Sequence, residues 1–240
     1  MPLQPLISRN DISLITSLAH KKYRDRHRLF VVEGAKMVAE AQRSSFAIRK
    51  IYDALTPAEM KKISRFKTPS GVMALVEQPA YRLDPPALLH DLVLALDGVQ
   101  DPGNLGSIIR VADWFGIGRL VCSLDTADCY NPKVVQATMG AIFRVQVHYT
   151  ALPGFLREAA RSVPVYGATL DGDSIYSQAL PQQAVVVLGS EGRGISPDVS
   201  AQLTARLHIP SYPPLRSGSE SLNVAASAAI ACAEFRRRAT

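Results

Sequence analysis

Apolar residues along this chain fall into two rhythms. Between residues 29 and 77 they come in short blocks: LFVVEG, AKMVAEA, IRKIYD, PAEMKKIS and GVMALVE. Strand-like runs alternate with 3.6-residue periods, Gly34 ends the first strand and Pro57 sits in a helix's first turn. Ahead of them, Asn10 or Asp11 is expected to cap a helix that puts Ile12, Ile15, Leu18 and Ala19 on one face. This is the pattern of a small α/β module. From residue 91 the units lengthen. Strands are predicted at 92–96, 119–123, 163–169, 185–188 and 207–209, and helices at 105–115, 132–139, 154–161 and 223–238. Several of the strands are unbroken apolar runs, as in strands covered on both faces. Their alternation with helices predicts a mainly parallel α/β sheet. Residues 78–89 separate the rhythms, with three prolines and few core positions. The domains are therefore predicted as 1–80, a linker at 81–90, and 91–240.

An apolar fraction of 47% with 20% charged residues is enough for a folded core and argues against disorder. No apolar run is long enough to span a bilayer, and the start MPLQPLISRND lacks a charged-then-apolar signal design. A cytoplasmic location is expected. Cys122, Cys129 and Cys232 form no zinc spacing, no metal site is predicted, and an odd cysteine count fits a reducing compartment.

Charge changes the picture more than composition does. The formal net charge is +6, but residues 1–88 hold fifteen Lys/Arg against eight Asp/Glu, and residues 89–240 hold twelve against thirteen. The basic excess lies wholly in the first module, which suggests that this module meets a polyanion. Its densest stretch is KKYRDRHR at 21–28, with five cations, one aspartate and one tyrosine. It reads either as a solvated helix end or as a phosphate-contacting patch with an aromatic for stacking. The charge segregation favours the second, with Lys21, Lys22, Arg24 and Arg26 as RNA contacts.

In parallel α/β sheets ligands sit beyond the carboxyl ends of the strands. Here those ends carry DGVQDPGNLGSIIR, LDGDS, GSEGRGIS and PSYPPLRSGSESLN. Glycine, serine and single charges gather at each. No dinucleotide or phosphate-loop glycine spacing, no G-x-S-x-G and no H-E-x-x-H is present, and no histidine lies in these loops. What is present is Asn104, Arg110, Glu191, Ser221 and Asn223. Such a set orients and polarises a nucleophile rather than forming a covalent intermediate. Asp101-Pro102-Gly103 is expected to make a tight turn, with Asn104 starting the helix. Ser221 reads as a helix N-cap as well as a site hydroxyl.

Three stretches, DPGNLGSIIRVADWFGI, VVLGSEGRGIS and IP…SESLNVAASAAIACAEF, resemble in order the signature motifs of the SpoU/TrmH family of the SPOUT superfamily. SLAHKKYRDRHRLFVVEGAKMVAEA is similar to the ribosomal-protein-L30e-like substrate-binding domain that many members carry. The resemblance implies an RNA ribose 2′-O-methyltransferase that uses S-adenosylmethionine, with ribosomal RNA favoured over transfer RNA. It implies a C-terminal trefoil-knotted domain and a homodimer whose active site draws on both subunits. It implies catalytic roles for Asn104, Arg110, Glu191, Ser221 and Asn223, with Arg110 directed at the 2′-hydroxyl. It also implies that Thr169, Leu170, Gly189, Ile209 and Leu222 frame the cofactor. The connection SYPPLRSGSE is longer than is usual in the family, which leaves Ser217, Ser219 or Ser221 for the site serine; Ser221 is chosen. The competing readings are an RNA-binding protein of this fold without methyl transfer, and a nicotinamide- or nucleotide-using enzyme.

Overall fold

The structure, a computed structural model, describes residues 7–84, 90–213 and 221–237. Contacts divide the chain into two compact units, Met1–Ala80 with Asp128–Arg144, and Tyr81–Ala127 with Val145–Thr240. Residues 128–144 lie within the predicted 91–240 domain. The contacts group that stretch with the first unit.

In the first unit, α1 (Arg9–Ser17) begins at Ser8, whose side chain accepts from the Asp11 amide. The cap is thus Ser8, not Asn10 or Asp11. Next come α2 (Lys21–His27), β1 (Leu29–Glu33), α3 (Ala35–Arg43), β2 (Ile48–Tyr52), α4 (Pro57–Ile63) and β3 (Met73–Glu77). The strands form an antiparallel sheet of order β1-β3-β2. Period-two alternation gives β1 two apolar faces. Leu29 packs with Ile15, Leu18, Met60 and Ile63, while Phe30 meets Phe46, Tyr130 and Phe143. The last two lie in the 128–144 stretch, which also carries α5 (Pro132–Ala137) and a 3-10 turn at Ala141–Phe143. That aromatic cluster is the physical reason 128–144 belongs here.

The second unit is a six-stranded sheet in which every pairing is parallel. Its strands are β4 (Leu92–Asp97), β5 (Arg119–Ser123), β6 (Gln146–Thr150), β7 (Val165–Ser174), β8 (Ala184–Gly189) and β9 (Ala205–His208), in the order β6-β5-β4-β8-β7-β9. Among the described residues its helices are α6 (Pro102–Trp114), α7 (Leu152–Ala159), α8 (Pro197–Ser200) and α9 (Val224–Arg237). β4 is buried along its whole length, as its LVLAL run predicts. The sequence reading missed β6. It is an edge strand whose QVHYT has three polar residues, so it offers neither an unbroken apolar run nor a clean alternation. It also missed the one-turn helix α8. The apolar face of α7, with Leu152, Phe155, Leu156 and Ala159, covers Val93, Ala95, Val121 and Val187 of the sheet. β4 and β8 lie side by side and parallel at the centre, where the strand order reverses, so the loops leaving their carboxyl ends diverge around a crevice.

Candidate active site

Asp101 caps α6: its side chain accepts from the Asn104 amide at 2.8 Å, and Pro102 occupies the first helical position. The helix therefore starts two residues before Asn104, and Asp-Pro is a cap rather than a free-standing turn. The Asn104 side chain is consequently held in the first turn, pointing off the β4 end of the sheet.

After β8 the chain makes a narrow loop, closed by reciprocal backbone bonds between Ser190 and Gly194 of 3.1 and 2.8 Å. A Cβ on Gly189 would lie 2.2 Å from the Gly194 carbonyl carbon, so only glycine allows this closure. The loop presents Glu191 to α6, and Asn104 Nδ2 donates to Glu191 Oε1. From the far end of the chain, Asn223 Nδ2 donates to Asn104 Oδ1 at 2.9 Å. The Asn223 Oδ1 accepts from the amides of Ala225 and Ala226, so Asn223 rather than Ser221 caps α9. Three residues separated by up to 119 positions thus form one hydrogen-bonded chain.

A cleft of about 490 Å³ opens beside this chain. Its lining includes all five residues expected to frame a cofactor, Thr169, Leu170, Gly189, Ile209 and Leu222, together with Glu191 and Ser221. β7 shows why Thr169 and Leu170 are suited to it. Ala168 and Asp173 both pair with Leu207 of β9, so residues 169–172 bulge out of the ladder. Of these, Thr169 and Leu170 lie at the cleft wall, and the Gly172 carbonyl is held by the His208 ring at 2.5 Å. Thr169 Oγ1 is buried and completes no well-formed hydrogen bond, although it lies close enough to Asp171 to help hold that carboxyl below its usual range. Leu170 and Leu222 are exposed at 74% and 51% and add apolar surface to the cleft wall. Ser217 and Ser219 lie outside the described residues.

Arg110 stands apart. At 1.5 Å and 100° per residue it lies about 9 Å further along α6 and about 120° round the helix from Asn104. It is exposed, it does not line the cleft, and it makes no ion pair among the described residues. One turn beyond it on the same face is Trp114, 84% exposed.

The first unit corrects one predicted RNA contact. Arg24 is 2% exposed. Its Nη1 donates to the carbonyls of Leu18 and Ala19 at the end of α1, and its Nε and Nη2 donate to Asp128 at 3.0 and 2.5 Å. The guanidinium is spent on internal acceptors and cannot reach a phosphate. Lys21 is exposed but pairs with Asp25, and Lys22 and Arg26 are exposed. The Lys/Arg spacing of 21–28 gave no hint of this. Only the missing carbonyl partners at the C-terminus of α1 could have signalled it.

The profile of the SpoU rRNA Methylase family matches residues 91–233. The chain belongs to this family. The profile of the MRM3-like substrate binding domain matches residues 9–56. A curated relative, 23S rRNA (guanosine(2553)-2'-O)-methyltransferase RlmP of Bacillus subtilis, is 32% identical over 230 residues, spanning 88% of this chain and 89% of the relative. A solved TrmH-family structure from Porphyromonas gingivalis superposes with a TM-score of 0.88 at 42% identity, covering 97% of this chain and 99% of that one. The SpoU methyltransferase AviRb of Streptomyces viridochromogenes, solved with S-adenosylmethionine (AdoMet), gives 0.85 at 25% identity, covering 98% and 99%. The matched family segment holds the whole Asn104–Glu191–Asn223 chain and every residue of the cleft.

Proposed function

We propose that this protein methylates a ribose 2′-hydroxyl in ribosomal RNA, using S-adenosylmethionine, as a cytoplasmic homodimer. The observation that carries the reading is the convergence of Asn104, Glu191 and Asn223 on a cleft lined by all five expected cofactor residues.

The cleft suits the cofactor's chemistry. Leu170, Leu188, Ile209, Leu222 and Val224 offer apolar surface for a base, and the backbone of Thr169 and Leu170, where β7 slips register against β9, faces its polar edge. Ser221 and Ser227 supply hydroxyls. When bound, S-adenosylmethionine supplies a methyl group on a sulfonium, open to in-line displacement by an oxygen nucleophile. The chain's own task is to align that oxygen and manage its proton. Asn104 and Asn223 each commit one amide hydrogen to the network and keep a second. The second Glu191 oxygen is the acceptor for the hydroxyl proton, since a guanidinium does not give up its own. A preorganised amide and a fixed cation then stabilise charge developing on the oxygen.

The cation is Arg110 of the partner subunit. Within one chain Arg110 faces away from the cleft, on the α6 surface that carries exposed Trp114. Pairing two copies through that surface covers the tryptophan and delivers each arginine to the other cleft. The same reading includes the family's trefoil knot, which supports the return of the chain from β9 to set Asn223 beside Asn104. Lys22 and Arg26 of the first unit contribute phosphate contacts.

Calorimetric titration with S-adenosylmethionine and transfer of a tritiated methyl group to ribosomal RNA test the reading. Binding with transfer supports it, and binding of RNA with neither cofactor binding nor transfer returns the protein to an RNA-binding role. For the shared site, Arg110→Ala and Glu191→Gln proteins are each expected to be inactive, and co-refolding them should restore activity. Failure of the mixture to recover any turnover contradicts the shared site.

A further inference from the structure

The first unit contains a second basic stretch, and its geometry differs from that of α2. Over residues 61–67, KKISRFK, there are four cations and no acid. Lys61, Lys62, Arg65 and Lys67 are exposed, and none forms an ion pair among the described residues. Beside them lies a pocket of about 370 Å³. Leu55, Pro57, Met60, Phe66 and Pro69 supply apolar wall, and Lys61 and Lys67 line it too. Its size falls within the roughly 300–1,000 Å³ of small-ligand sites.

A buried carboxylate fixes the loop that closes this pocket. Glu33 at the end of β1 is 6% exposed and accepts from Ser64 Oγ at 2.9 and 2.8 Å and from the Ser70 amide at 3.1 Å. Ser64 Oγ in turn accepts from the Phe66 amide at 3.1 Å. Both ends of the 64–70 loop are therefore tied to one side chain, and Phe66 is held by its backbone. The neighbouring Glu59 is used in capping α4, where Thr56 N and Oγ1 donate to its Oε2 at 3.0 and 2.7 Å. Asp53 is exposed nearby in sequence and does not line the pocket.

We infer that this pocket takes an unstacked nucleobase of single-stranded RNA, with Phe66 as its stacking surface and Lys61 and Lys67 on the flanking phosphates. The inference rests on the reading that the protein acts on RNA, and it names where the first unit holds the strand. Apolar wall alone could suit many ligands. The uncompensated cations beside it select a polyanion, and the concavity selects a base that has left its stack. A duplex offers phosphates but no free base, so it should bind more weakly.

The test uses the full-length protein with poly(U) and with a blunt RNA duplex of equal length. Lys61→Ala/Lys67→Ala replaces exposed residues and should fold normally. It should lower the log–log salt slope for poly(U) by roughly 0.7 per lysine. Phe66→Ala should weaken poly(U) binding by about five-fold to a hundred-fold, and Phe66→Trp, which keeps a stacking face, should retain it. S-adenosylmethionine affinity, measured by calorimetry, should stay unchanged in all three. Unchanged poly(U) affinity and slope in the lysine variant, or equal loss in Phe66→Ala and Phe66→Trp, overturns the inference while the wild type still methylates RNA. A wild type that neither binds RNA nor transfers methyl overturns the proposed function itself, which is a separate result.

Discussion

The two units carry their chemistry in opposite ways. In the second, the candidate site is built by connectivity: Asn104, Glu191 and Asn223 come from three distant parts of the chain and meet through specific hydrogen bonds. In the first, the proposed RNA contacts depend on which cations are left over. Arg24 is consumed inside the unit and Lys21 is paired, whereas Lys61, Lys62, Arg65 and Lys67 remain uncompensated. A network of positioned groups fails all at once when one member is lost. A basic surface weakens by increments and responds to salt. Charge density along a sequence therefore says less about binding than the list of internal acceptors that compete for each cation.

The largest expected effect comes from the residue that looked like a surface cation. Arg24→Ala removes one partner of a buried pair and leaves Asp128, only 13% exposed in its side chain, without its cation. Loss of one member of a buried pair costs about 3–5 kcal/mol, to be read from denaturant unfolding. A cost below that of an ordinary surface substitution would return Arg24 to the RNA-binding group. Next is Asn104→Ala, which should lower kcat by about 10²–10³ with cofactor affinity near that of the wild type. An effect confined to KM would place Asn104 in ground-state binding instead. Gly189→Ala forces a Cβ into the Gly194 backbone, and overpacking of this kind costs about 1–3 kcal/mol. Because the displaced loop carries Glu191, cofactor affinity and turnover should fall together. Smaller still, Lys22→Ala/Arg26→Ala should change the RNA salt slope no more than Lys61→Ala/Lys67→Ala does. A larger change would restore α2 as the main contact.

The smallest effect tests an ion pair within the second unit. Arg236 makes two bonds to Asp91, of 2.8 and 3.2 Å, and one to the Phe115 carbonyl at 2.9 Å. Burial tends to raise the Asp91 pKa, but hydrogen bonds from Arg236 and the Leu92 amide, with the Arg236 charge, outweigh it and hold the carboxyl below its usual range. A depressed folded-state pKa means stability that is present above the unfolded value and lost as pH falls through the folded one. Asp91→Asn should therefore flatten the acid limb of the stability curve below about pH 4, where an unperturbed aspartate titrates. Since Asp91 is half exposed, the effect should stay below about 1 kcal/mol. An unchanged acid limb would show that the pair adds nothing.

Much of the second unit was legible because its rules are local. LVLAL and AVVVLG are long apolar runs flanked by glycine or aspartate, and each became a central strand. The residues that line the cleft were named only through the resemblance to the SpoU/TrmH motifs. Three things were not legible. β6 was hidden by its polar edge position. The helix caps shifted because Asp101 and Asn223 compete successfully with their neighbours for the first free amides, a contest decided by geometry that a list of capping residues does not contain. The fate of Arg24 was hidden because its acceptors, two carbonyls and an aspartate 104 residues away, become visible only once the chain has folded. For the caps and for Arg24 the missing information was a partner, not a propensity.

The central claim is that the cleft beside Asn104 delivers a methyl group to a sugar oxygen. Its most direct test is nucleoside mass spectrometry of ribosomal RNA after incubation with the full-length protein and S-adenosylmethionine carrying a deuterated methyl group. The account predicts the label in a 2′-O-methylated nucleoside, abolished in the Asn104→Ala protein. Label on a base, or undiminished ribose labelling by Asn104→Ala, would contradict it.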